Sequence, residues 1–332
     1  MSITVLKPGA FSSFQDLGRA GMQHAGVPVS GVMDELSHRL ANWAAGNRDD
    51  TATLEITLLG PELRFEQDAI IAWCGADLSP TFDGHRLPAV TPTRVSAGST
   101  LRFGRRIAGL RAYLAINGGY AIDPVMGSRS TYVRGGFGGL QGRALRKDDP
   151  IPLPARAAGD APREIVARPV EAAVSRALAA LLAAQGTVET ERPVRIVAGR
   201  EWSQFGAPMR RRLLETPWRI GAQSDRMGYR LEGEPLRRAS GGDILSEAVS
   251  FGTIQVPPDG QPIVLMAERQ TTGGYPKIGQ VASVDLPLVA QRGPGEHLRF
   301  ELIELEQAQQ LLLERARLWR TVWPVHPALQ WQ

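Results

Sequence analysis

The sequence predicts a mainly β protein with a few helices, arranged as two β-rich domains. Three observations lead there. The 332 residues include 36 glycines and 24 prolines, a content that favours many turns and short strands over a helical bundle. Short apolar runs bounded by Gly, Pro or Asp recur along both halves of the chain. The length is enough for two domains, each burying its own core.

In chain order, Ile3–Leu6 is an apolar run stopped by Lys7-Pro8-Gly9 and predicts a first strand. Phe14–Val29 is glycine-rich and reads as turns. Met33–Ala45 carries Met33, Leu36, Leu40 and Trp43 on one helical face, with Gly46-Asn47 as its stop. Thr53–Leu59 and Leu63–Phe65 flank Gly60-Pro61 as strand, turn, strand. Ala69–Trp73, Arg94–Val95, Thr100–Phe103 and Leu110–Ile116 predict further strands, so residues 1–153 form a β-rich N-terminal domain. Composition shifts at about residue 154, and 154–192 reads as an alanine-rich connector with a helix over Val170–Gln185. A second β-rich domain, 193–305, opens with the strand Val194–Val197. It contains Thr253–Val256 and Ile263–Met266 on either side of the turn Pro257-Pro258-Asp259-Gly260. Leu302–Trp319 is amphipathic, so 306–332 reads as a C-terminal helix and tail.

Composition narrows the function classes. The net charge is +4, but the arginines are dispersed and no finger, RRM or helix-turn-helix pattern occurs, so no nucleic-acid partner is expected. Cys74 is the one cysteine. That precludes an intramolecular disulfide, fits a reducing compartment, and places the thiol in an apolar stretch as a buried structural group. The N-terminus lacks a charged start and apolar core, and the longest apolar run, Ala177–Ala184, falls short of the roughly 18 residues a span requires. The expectation is a cytoplasmic protein without membrane association. The five histidines are scattered without ligand spacing, and no metal site is expected.

Four segments carry groups suited to chemistry. The densest is Glu268–Lys277, with Thr271, Thr272, Gly273, Gly274, Tyr275 and Lys277. Only three of the 38 basic residues are lysines, and one sits beside this Gly-Gly pair. The hydroxyls and the glycine N–H groups are the parts that hold a developing oxyanion, and Lys277 can polarise the same oxygen. Read structurally, the segment is a turn between strands. Ser224–Arg230 sets Asp225 and Arg226 around a glycine, as a substrate clamp or as a salt-bridged turn. Gly127–Tyr132 offers Ser128 and Arg129 to orient a carbonyl or carboxylate, or to cap a turn. Arg134–Arg143, with Gly138 and Gly139, is a glycine-rich loop suited to an anion or to a flexible turn; it lacks the P-loop order.

These segments, in this order, resemble the family that includes the C subunit of the bacterial 5-oxoprolinase complex. The family is also known as allophanate hydrolase subunit 2-like, KipA-like or biotin-dependent carboxyltransferase-like. The resemblance runs from Phe14–Arg19 through Gly31–Asp34, Leu54–Thr57, Gly75–Leu78, Tyr113–Gly119, Gly127–Tyr132, Gly135–Arg143, Ser224–Leu231 and Gly252–Pro257 to Arg269–Lys277. Glu268 departs from the usual Asp, and Val32 from the usual Ala.

The resemblance implies cyclophilin-like barrel character in the two halves. It also implies a cyclic-amide hydrolase, a 5-oxoprolinase that uses ATP at the level of a complex with a KipI-like B subunit and an A-type (LamB/YcsF-like) subunit. In that reading Thr271, Thr272 and Gly273 hold the carbonyl oxygen, and Lys277 stabilises negative charge. Asp225 orients water or the ring nitrogen, and Arg129 or Arg226 meets the carboxylate. The alternatives are a carboxyltransferase component acting on urea or on a biotin ureido ring carried by a separate protein, or a regulatory partner of the KipI-like protein.

Overall fold

The computed structural model describes residues 2–155, 172–184, 192–239, 242 and 244–324. The chain forms two compact units. One comprises Met1–Arg19, Ser30–Thr187 and Leu318–Gln332, the other Ala20–Val29 and Val188–Arg317. Most of the connector read over 154–192, and the tail after Pro324, lie outside the described residues.

The first unit contains β1 (Ser2–Lys7), β2 (Phe11–Gln15), β3 (Thr53–Thr57), β4 (Glu62–Phe65), β5 (Ala69–Asp77), β6 (Thr81–Phe82), β7 (His85–Arg86), β8 (Thr93–Val95), β9 (Thr100–Arg102), β10 (Ala108–Ile116) and β11 (Pro150–Pro152). Its helices are α1 (Glu35–Ala44) and α2 (Ala172–Ala183). The strands make two sheets, ordered β11-β1-β4-β9-β6-β7 and β2-β3-β10-β5-β8. Ile3, Val5, Leu63 and Phe65 of one sheet share a single buried cluster with Phe14, Leu54, Ile56 and Leu114 of the other. The opposite face of β5 and β10 is covered by α1. Leu36, Leu40 and Trp43 pack there with Ala72, Cys74 and Tyr113. Burial on both faces explains why these strands read as unbroken apolar runs rather than as an alternation.

The predicted helix is α1, and its apolar face is buried as expected. Asp34 caps it by accepting from Ser37 N at 2.9 Å, and Gly46 ends it with φ of 71°. Cys74 is buried. One segment departs from the sequence reading: Phe14 and Gln15 belong to β2 rather than to a turn. Ser12, Ser13 and Gln15 are 1% exposed or less, so polar side chains stand where the period-2 pattern calls for apolar ones.

The second unit contains β12 (Val194–Ala198), α3 (Ala207–Glu215), β13 (Trp218–Ile220), β14 (Gly228–Glu232), β15 (Glu247–Ala248), β16 (Thr253–Gln255), β17 (Ile263–Leu265), β18 (Thr272–Gly273), β19 (Lys277–Val281), α4 (Leu286–Ala290), β20 (His297–Leu298) and β21 (Phe300–Leu302). Helix α5 (Leu305–Val322) follows. Eight strands form one sheet in the order β20-β13-β14-β17-β16-β19-β12-β21. Its two edge strands, β20 and β21, are separated in sequence by Arg299 alone. The edges must therefore meet, and the sheet curls into a nearly closed barrel. The resemblance implied this architecture. β16 and β17 pair antiparallel around the predicted turn, where Gly260 N donates to Pro257 O at 2.9 Å. A separate two-stranded ribbon pairs β15 with β18. Among the described residues no helix is long and apolar enough to cross a membrane.

Candidate functional site

The residues singled out from the sequence divide between the units. Thr271, Thr272, Gly273, Gly274, Tyr275, Lys277, Asp225 and Arg226 belong to the second, and Ser128, Arg129, Gly138 and Gly139 to the first.

Segment 268–277 is tied down at both ends. Glu268 N donates to Arg226 O at 2.7 Å, and Val256 N donates to Pro276 O at 2.9 Å. Between them, Thr272 and Gly273 form β18 opposite Ala248 and Glu247 of β15. Gly273 lies in β18, and Gly274, Tyr275 and Pro276 link it to β19, so the segment is a short connection between strands in which neither glycine has a positive φ. Gly273 serves close approach: a Cβ there would lie 2.5 Å from Nε2 of Gln255. Thr271 is half-buried, while Thr272 and Tyr275 are exposed.

Lys277 begins β19. Its side chain is 11% exposed, and Nζ donates to Glu247 Oε1 at 2.6 Å. The other oxygen of Glu247 accepts from Arg200 Nη1. The backbone N–H of Lys277 donates to Oε2 of the buried Glu201 at 2.9 Å. Arg200, Glu201, Glu247 and Lys277 thus form a mixed-charge group with an ammonium at its centre. The hydrogen bond from Lys277 and its charge hold the Glu247 carboxyl below its ordinary pKa, outweighing desolvation. Beside this group stands Gln255, 1% exposed and opposite Lys277 across the β16–β19 pair. Its Nε2 is buried and has no acceptor among the described residues. An unanswered buried donor costs about 1–3 kcal/mol, so its persistence at this position calls for an explanation.

The neighbouring groups are less open. Arg226 and Glu268 form a buried ion pair, Nε to Oε1 at 2.6 Å, which joins the turn before β14 to the start of the 268–277 segment. Arg226 is thereby engaged inside the protein. Asp225 accepts from Met227 N at 2.8 Å through Oδ1 and shapes that turn. Arg269 differs. Its guanidinium donates to Val249 O at 3.3 Å and lies over the Phe251 ring, and no carboxylate among the described residues pairs with it. Burial lowers its pKa.

In the first unit the hydroxyls are turned inward. Asp16 accepts from Gly18 N at 2.8 Å, from Ser128 Oγ and Ser130 Oγ at 2.6 Å each, and from Arg129 N at 2.5 Å. Ser128 in turn accepts from Ser130 N at 3.0 Å. Ser128 is 1% exposed, so both faces of its hydroxyl are engaged within the fold. Gly138 and Gly139 have φ of 73° and 54°, and a Cβ at either would run into Ser130 O or Thr131 Oγ1. The amides of Gly136, Gly139 and Gly142 donate to Tyr132 O, Arg129 O and Gly138 O. The glycine-rich loop is therefore packed on its own N–H acceptors, and it does not fit a triphosphate. Arg129 is exposed and lines a cavity of about 500 Å³ with Arg48, Asp50, Thr51 and Gly119.

Sequence reasoning missed Glu247, Arg200, Glu201, Gln255 and Arg269. Arg269 lies inside the segment 268–277, and Gln255 inside the Gly252–Pro257 stretch, so both were within reach. Glu201 and Glu247 stand 76 and 30 positions from Lys277 and meet it only in the folded chain, as does Arg200 beside them. Nothing in their local sequence marks them.

Three comparisons bear on this arrangement. A family model described as carboxyltransferase domain, subdomain A and B, matches residues 25–302. The chain is 33% identical to the 5-oxoprolinase C subunit of Escherichia coli (strain K12), covering 98% of this chain and 99% of that one. It superposes on the urea amidolyase of K. lactis with a TM-score of 0.84 at 27% identity, all of this chain matching 20% of that one. On the urea carboxylase of Kluyveromyces lactis the TM-score is 0.83 at 28% identity, and this chain spans 30% of it. With most of its length covered by the family model and a relative matched nearly end to end, the chain belongs to the carboxyltransferase domain, subdomain A and B, family.

Proposed function

We propose that this chain is the C subunit of an ATP-dependent 5-oxoprolinase complex, a hydrolase that opens 5-oxo-L-proline to L-glutamate. The observation that carries the proposal is the end-to-end similarity to the 5-oxoprolinase C subunit, 98% of one chain on 99% of the other. The Lys277 group supports it, because it offers a fixed charge beside a buried unanswered donor, the chemistry a small planar amide requires. Lys277 and Thr271 face the carbonyl oxygen, on which negative charge grows as the ring carbon is attacked by water. Asp225 and Thr272 complete the polar rim with Tyr275. Arg269, which no described carboxylate answers, meets the substrate carboxylate in place of Arg226, which Glu268 holds.

Amide resonance and the stability of the five-membered lactam make ring opening dependent on ATP. Because the glycine-rich loop of this chain does not suit a triphosphate, nucleotide handling is assigned to the KipI-like or the A-type member of the complex.

A second reading is favoured by the family itself: a carboxyltransferase component that takes urea or the ureido ring of biotin borne on another protein. All of these substrates are small amides or ureas, and the same donors suit each. One experiment separates the readings. The chain is purified with its co-encoded partners, and ADP and glutamate release are measured with 5-oxo-L-proline, urea and allophanate. Glutamate release that Lys277→Ala abolishes, with assembly intact, is the expected result. Biotin-dependent carboxyl transfer without oxoproline turnover would establish the second reading. No turnover by an assembled complex sinks the first.

A further inference from the structure

The carboxamide of Gln255 has a chemistry that the reading above leaves unused. Gln255 is 1% exposed, and its Nε2 has no acceptor among the described residues. It lies in β16 and pairs with Lys277 of β19 at a register shift in that ladder. Lys277 reaches Glu247, and Glu247 pairs with Gly273. The Gln255 amide lies against that same Gly273, where a Cβ would come within 2.5 Å of Nε2. Gly273 lacks a positive φ, so room for the amide, rather than backbone conformation, is what calls for glycine at this position.

A primary carboxamide presents one N–H donor and one C=O acceptor side by side, pointing the same way. An open-chain secondary amide is trans, with its N–H and C=O on opposite sides. A lactam or cyclic urea is held cis by its ring, so its N–H and C=O point the same way. It can therefore meet a carboxamide edge to edge through two hydrogen bonds, which a trans amide cannot do.

We infer that Gln255 is the substrate-binding residue that selects a cyclic, cis amide. Its Nε2 donates to the carbonyl oxygen, and its Oε1 accepts from the ring N–H. Lys277 places its ammonium on Glu247, the strand partner of the Gly273 against which the Gln255 amide lies. The inference rests on the assignment of the Lys277 group as the small-amide site.

The test uses the full chain and measures binding of 5-oxo-L-proline and 2-imidazolidone by calorimetry or ligand-observed NMR. The N-methyl derivative of 5-oxoproline and N-acetylglycine serve as the N–H-blocked and trans-amide comparators. Wild type is expected to favour the cyclic N–H probes at least about tenfold, because a site built to hydrogen-bond a group rejects analogues lacking it. Gln255→Leu, and Gln255→Met as a second packing variant, should weaken those probes about tenfold and erase the preference. Their melting temperature should stay equal to or above that of wild type. If both variants bind 5-oxoproline as wild type does while Lys277→Ala loses it, the inference fails and the site stands. If all three variants bind as wild type, the site assignment itself fails. Failure of wild type to bind either cyclic probe at millimolar concentration overturns both.

Discussion

The Asp16 cluster of the first unit and the Lys277 group of the second are both polar networks centred on one charged residue, yet they differ in what they leave unanswered. Asp16 collects two hydroxyls and two backbone amides at 2.5–2.8 Å, and Ser128 also accepts from Ser130 N. Each of these donors ends on a protein acceptor. The second unit keeps a surplus: the Gln255 amide has no acceptor, and Arg269 no carboxylate, among the described residues. A closed network rigidifies, whereas an open one retains capacity for a ligand. Glycine follows the same division. Gly138 and Gly139 have positive φ and pack against backbone and hydroxyl oxygens, while Gly273 is extended and leaves room for an amide.

The largest expected effect tests the closed network. Asp16→Ala leaves four donors without their acceptor at a site 7% exposed. It should destabilise the first unit by on the order of 4 kcal/mol, read from denaturant unfolding. Lys277→Ala should change stability by less than about 1 kcal/mol while removing turnover. The contrast breaks if the two variants exchange phenotypes.

Next comes the Arg226–Glu268 pair, in which the side chains are 7% and 6% exposed. Arg226→Met strands a buried carboxylate and should cost about 3 kcal/mol. The double change Arg226→Met with Glu268→Met removes both charges and should recover to within about 1 kcal/mol of wild type. If Arg226→Met instead leaves stability intact and raises only KM, Arg226 returns to the substrate clamp.

His38 gives the first unit its own pH signature. It is fully buried on α1 and bonded to Thr53 Oγ1 at 2.9 Å and Asp49 O at 3.0 Å. Burial, the largest cause, lowers its pKa from 6.5 to about 4. The unfolded chain therefore binds the proton more readily than the fold does. The stabilisation is full above pH 6.5 and is lost as pH falls toward 4, by up to about 3 kcal/mol. Melting curves between those limits should flatten in His38→Gln. Equal acid sensitivity in wild type and variant would remove His38 as the cause.

Much of the fold was legible because local signals agreed with it. The face Leu36, Leu40, Trp43, the cap at Asp34 and the Pro257–Gly260 turn each have one local meaning. β2 was not legible, because Ser12, Ser13 and Gln15 are buried polar residues on a strand. At the candidate site the sequence exposed the segment 268–277 but not its surroundings. Lys277 meets Glu247 and Gln255 only through strand pairing, and register is a property of the assembled sheet. Ser128 and Arg226 illustrate the opposite problem. Their residue types suit a substrate, and only the partners Asp16 and Glu268 reveal that the fold already uses them.

The smallest effect asks which member of the charged group matters. Arg200 is 71% exposed, and it shares Glu247 with Lys277, whose side chain is 11% exposed. An exposed ion pair is screened by solvent and contributes about 0–1 kcal/mol. Arg200→Ala should therefore leave stability within that range and lower kcat/KM by less than about fivefold, since the Lys277–Glu247 hydrogen bond at 2.6 Å persists. A loss as deep as that of Lys277→Ala would show that the charge balance on Glu247, rather than the ammonium itself, governs the site. In that case Glu247→Gln, which keeps an acceptor for Lys277 but removes the negative charge, should inactivate to the same degree. If Glu247→Gln retains activity while Lys277→Ala does not, the ammonium is the working group and Glu247 only aims it.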